Sequence, residues 1–60
     1  MINEVLKNII QARMEAKSML EFYRGLSEMT GKTYEKEIND LLDKINTLNE
    51  LETKLKNSLA

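Results

Sequence analysis

No cysteine, histidine, proline or tryptophan occurs in these 60 residues, and glycine occurs only twice. Without cysteine there is no disulfide and no thiolate metal site. Without histidine a zinc site would have to be all carboxylate, a poor match to that ion's usual nitrogen and sulfur ligands. No side chain then titrates near neutrality unaided, and Ser-His-Asp or Cys-His centres are impossible. A perturbed Glu or Lys would need a deep, dry pocket, which a chain this short is not expected to enclose. The expectation is a non-enzymatic protein with no cofactor and no metal.

Other absences bear on partners and location. Nine Lys and Arg stand against ten Asp and Glu, a net charge of −1. That gives no overall attraction to nucleic acid. No apolar run approaches the roughly 20 residues that span a bilayer. Glu4 and the single early Lys7 do not make the basic start of a secretory signal. These features lead us to expect a soluble, cytoplasmic protein with no membrane partner. The small size and the Asn, Lys, Ile and Glu content point to a phage, plasmid or mobile-element origin.

What remains is a chain of good helix formers with one convincing break, Thr30-Gly31-Lys32-Thr33. Gly31 can adopt the left-handed conformation that ends a helix. Thr33 can cap the next one, with Glu35 and Glu37 complementing its dipole. Gly25 is a local conflict, because mid-helix glycine costs about 1 kcal/mol against alanine. The first helix either runs through it or ends near Arg24.

The apolar spacing agrees. Ile2, Val5, Ile9, Ala12, Ala16, Met19, Tyr23 and Leu26 alternate steps of three and four, an unbroken heptad seam. Leu6 and Leu20 widen it on one side, Phe22 and Met29 on the other. In the second half Tyr34, Ile38, Leu41, Ile45, Leu48, Leu55 and Leu59 follow the same rule, with Leu51 beside a Glu52 that occupies a seam position. The prediction is an all-α antiparallel hairpin, one domain over residues 1–60, with helices over about 3–29 and 34–57.

Folding the chain about Gly31 pairs Met29 with Tyr34, Leu26 with Ile38, Phe22 and Tyr23 with Leu41, and Met19 with Ile45. Further out it pairs Ala16 with Leu48, Ala12 with Leu51, Ile9 with Leu55, and Val5 with Leu59. Apolar meets apolar in every layer. Arg13 projects toward the Glu52 layer, which predicts a cross-hairpin pair with Glu52 or Glu50 that fixes register. Small chains without disulfides or metals need another staple, and oligomerisation is the common one. The stripes are also wider than one neighbouring helix can cover. We therefore expect a homodimer forming a four-helix bundle.

Ile10 and Met14 lie off this seam, and Phe22 and Met29 flank it on the other side. With Lys17 and Arg24 they make a candidate surface for an unidentified protein partner, since exposed apolar side chains mark interaction sites and Met adapts to varied shapes. Gly31-Lys32-Thr33 is not a phosphate loop, which requires glycine where Leu26 stands and a strand before it. Asp40, Asp43, Glu50 and most other charges read as a solvated helix surface.

The layout, with Ala12 and Ala16 facing Leu51 and Leu48, resembles the plasmid copy-control repressor-of-primer family of helical-hairpin dimers, though no motif is shared. That resemblance implies RNA or DNA binding as an alternative function. Interleaved Glu15 and Glu21 argue against a basic face. A structural or scaffold assembly protein is a further alternative. The segment Ile38–Lys44 is similar to a stretch of the aspartyl-phosphate phosphatases of sporulating bacteria only at Leu42-Asp43. Their Ser-Gln pair is absent, so that activity is not carried over.

Overall fold

The helix formers on either side of Gly31 build two helices, α1 (Ile2–Thr30) and α2 (Glu35–Leu59), joined by residues 31–34. They lie antiparallel in a computed structural model that describes residues 2–59, with only the backbone described at Ile2 and Leu59. The expectations placed on the Ile2 and Leu59 side chains, including the Val5–Leu59 layer, lie outside what is described. The hairpin measures 46 × 15 × 11 Å, and its long axis matches the roughly 43 Å of a 29-residue helix.

Gly25 does not break α1. Helical hydrogen bonding carries through it to Thr30, so the cost of glycine is tolerated rather than avoided. The stop comes at Gly31, whose φ of +72° is left-handed. Its N–H donates to the Ser27 carbonyl at 2.9 Å, which satisfies one of the orphan carbonyls of the last turn. The Ser27 hydroxyl donates to the Lys32 carbonyl at 2.7 Å, and the Lys32 N–H donates to Thr30 Oγ1 at 3.2 Å. A small polar network thus holds the turn.

The start of α2 differs from expectation. Tyr34, not Thr33, occupies the cap position, because its carbonyl accepts from the Ile38 N–H at 2.9 Å. Its side chain serves packing instead: the Tyr34 ring stands 5.6 Å from that of Tyr23. The layer nearest the turn is therefore Tyr23–Tyr34. Met29, expected opposite Tyr34, is 86% exposed.

The two glycines make opposite predictions. A Cβ at Gly25 meets nothing within 4 Å, so Gly25→Ala should raise stability by about 0.5–1 kcal/mol. Gly31→Ala also has space, but forces alanine into the left-handed region, and should lower stability by about 1–2 kcal/mol. Urea titrations of the two variants at one protein concentration check the sign of each.

The core is thin. Ala16, Leu20 and Ile45 are its buried apolar side chains, with Ile38 and Leu41 packed against them. Among the described residues no large side chain is fully withdrawn from solvent. The α1 face turned toward α2 follows Leu6, Ile9, Arg13, Ala16, Leu20, Tyr23 and Ser27, which are also spaced three and four. Leu20 sits at the centre of this contact rather than at its edge. Val5 and Met19, taken into the seam by the all-apolar spacing, are about half exposed in the hairpin, and so is Leu51.

Candidate interaction surface

Two features of the hairpin could carry function. One is a polar layer within the seam, the other an apolar surface outside it. The polar layer is built by spacing. Arg13 and Glu52 fall at facing seam positions, and each helix turns its charged side chain toward the other. The Arg13 guanidinium contacts Glu52 Oε1 and donates to Asn49 Oδ1 at 2.9 Å. The other Glu52 oxygen lies 2.9 Å from Lys56 Nζ, one turn further along α2.

Glu52 is buried, but both carboxylate oxygens have cationic partners. The hydrogen bond from Lys56 is the main cause holding its pKa below the ordinary carboxylate value. Burial pushes the other way, and the nearby charges of Arg13 and Lys56 add to the lowering. A lowered carboxyl pKa contributes stability above the unfolded value of about 4.3, and that contribution is lost as pH falls through the folded value. Glu52→Gln should therefore flatten part of the acid loss of stability seen in the wild type below about pH 5. Urea midpoints at pH 7 and below pH 4 for the two proteins check this.

The charged groups of this cluster are Arg13, Glu52 and Lys56. Every charged group in it is engaged by another. Its fitting role is to select register: a one-turn slip would place Arg13 or Glu52 opposite apolar side chains and leave a charge unpaired.

The apolar surface has two parts, both on α1. Val5, Ala12, Met19 and Leu26 recur every seven residues along one flank. Val5 opens onto Leu51, Lys54 and Ser58 of α2, which shows that this flank and Leu51 face the same side of the hairpin. The second part lies on the outside of α1, away from α2. There Met14, Met19 and Phe22 border a shallow depression with Gln11, Glu15 and Ser18. Met14 is 63% and Phe22 58% exposed. The Phe22 ring is edge-on to Tyr23 at 5.6 Å, so it is oriented by the aromatic layer at the turn.

The structure divides the six residues singled out from the sequence. Met14 and Phe22 border one depression. Ile10, half-buried, falls with Lys17 and Arg24 on the opposite flank from Val5, by the same seven-residue spacing. Arg24 stands 3.6 Å from Glu21. Met29 projects from the last turn of α1. Sequence spacing did not single out Ser18, whose small side chain leaves the floor of the depression open. The signal available for it was its position four residues from both Met14 and Phe22. No helix among the described residues is long and apolar enough to cross a membrane.

No protein-family model matches this chain, and no curated protein or solved structure matches it either. The surface itself is what bears on function.

Proposed function

We propose that this protein is a small, non-enzymatic interaction module, a regulator, inhibitor or adaptor, that works as a cytoplasmic homodimer built as a four-helix bundle. The observation that carries this reading is the imbalance between what the hairpin buries and what it leaves open. Among the described residues three apolar side chains are buried, while Val5, Met14, Met19, Phe22 and Leu51 are about half exposed or more. A chain of this length without a disulfide needs more burial than one helix–helix contact provides, and an apolar surface of this extent is normally covered. A second copy covers the Val5–Leu26 flank. The outer depression, bordered by Met14 and Phe22 and sharing Met19 with that flank, stays available to a client protein, with Ile10, Lys17 and Arg24 on the far flank of α1 and Met29 at its last turn as further contacts.

Nucleic acid is the less favoured partner, because Arg24 is paired with Glu21 and the basic side chains do not gather on one face. Sedimentation equilibrium at micromolar concentration tests the reading. A mass twice that of the 7.0 kDa chain is expected. A folded monomer overturns the proposal, and a ladder of larger species favours an assembly protein.

A further inference from the structure

The homodimer reading leaves open which face is shared and how the two hairpins lie. We propose that two copies join through the flank carrying Val5, Ala12, Met19 and Leu26, head to tail, with their turns at opposite ends of the bundle. The inference rests on the homodimer reading, and its own support is the apolar row on α1 together with one charge pair, Asp40 with Lys54, on α2.

On α1, Val5 and Leu26 are equidistant from the midpoint between Glu15 and Ala16, and so are Ala12 and Met19. A two-fold axis crossing the hairpin there sets Val5 of one copy on Leu26 of the other, and Ala12 on Met19. Small then meets large along the shared stripe, as bundle packing favours. On α2 the same flank carries Glu37, Asp40 and Lys44 on the turn side of Thr47, and Leu51 and Lys54 beyond it. Reversing this order sets Asp40 of one copy near Lys54 of the other, about a centre at Thr47. The α1 centre follows from the even spacing of its row, and the α2 centre from the Asp40–Lys54 pair. They lie at the same height in the hairpin: Ala16 packs with Ile45, and Arg13 reaches Asn49, which brackets Thr47.

The alternative two-fold, along the hairpin, puts both turns at one end. It would lay Ala12 on Leu51 of the second copy, but Met19 and Leu26 against Lys44 and Glu37, burying charge against apolar surface at two of the row's four positions. The opposite flank of the hairpin is no better. It offers Ile10 and Leu42, but Lys17 and Arg24 share the seven-residue row of Ile10, so a second copy there would face charge rather than an apolar row.

The absence of cysteine makes the test clean, because one introduced thiol is the only labelling site. Lys32 is exposed in the turn. With a spin label at Lys32→Cys, the head-to-tail dimer should give an interlabel distance of roughly 45–50 Å. Turns at one end would give roughly 10–25 Å, which overturns the arrangement while leaving the homodimer intact. No interlabel distance, with a monomeric mass, overturns the homodimer reading itself. The face is tested by charge: Asp40→Lys and Lys54→Glu should each weaken dimerisation roughly 2- to 20-fold, since the pair occurs twice per dimer. The double variant should recover most of the loss. A long distance without that recovery overturns the choice of face.

Discussion

Ile45→Ala should cost about 2–4 kcal/mol per chain, as core truncations of this kind do. Among the described residues Ile45 is one of three buried apolar side chains, which form one cluster. For a domain of this size each kcal/mol shifts the thermal midpoint by about 4–8 °C, so a fall of more than 10 °C is expected. Leu42→Ala, at a position 37% exposed on the same helix, should cost less than about 1 kcal/mol. Circular-dichroism melts of the two variants at equal concentration make the comparison. Similar midpoints for both would mean that the Ala16–Leu20–Ile45 contact is not what holds the helices together.

Met19→Glu has an effect of a different kind. Met19 is 49% exposed in the single hairpin, and in a monomer such a position tolerates a charge within about 0.5 kcal/mol. In the proposed dimer it would be an interface residue facing Ala12 of the second copy, and it would enter the interface twice. An unpaired carboxylate there must be desolvated or must hold the copies apart. Dimerisation should weaken at least tenfold, roughly 1.4 kcal/mol or more, and the helical signal should be lost on dilution sooner than in the wild type. An unchanged association constant would exclude this flank as the shared face.

Much of the fold was legible because helix boundaries here depend on few residues. Gly31 is the only glycine placed where a left-handed turn could separate two apolar repeats, and it takes that conformation. The break was therefore fixed by one residue's lack of a Cβ. The start of α2 was less legible. Thr33 has the better capping side chain, yet Tyr34 takes the position, where its ring lies tilted against that of Tyr23 on α1. A contact between different elements accompanies the departure from local preference, and no local rule carries that information.

The Arg13–Glu52 pair could be anticipated, since a charge at a seam position must find a partner in the facing layer. What the spacing alone obscured was which of two overlapping heptad rows faces α2. One row is wholly apolar, through Val5, Ala12, Met19 and Leu26. The other, through Leu6, Leu20 and Arg13, is interrupted by a charge and looks the weaker seam. Within one hairpin the interrupted row wins, because Arg13 is matched by Glu52 and Asn49 and Leu20 reaches Ile45. The all-apolar row is displaced to the flank. A chain with two apolar rows and one neighbouring helix leaves a row uncovered, and that surplus is the basis of the interaction surface.

Whether folding and association are one process is tested most directly by the thermal midpoint as a function of protein concentration. A dimer whose monomer is not stably folded melts at a midpoint that rises with concentration, because dilution favours the separated, unfolded chains. Across a hundredfold range, from about 1 to 100 μM, we expect the midpoint to climb by several degrees, a shift driven by roughly 2.7 kcal/mol of mass action. A cooperative melt whose midpoint stays fixed over that range would show a hairpin that folds alone, and would contradict the account.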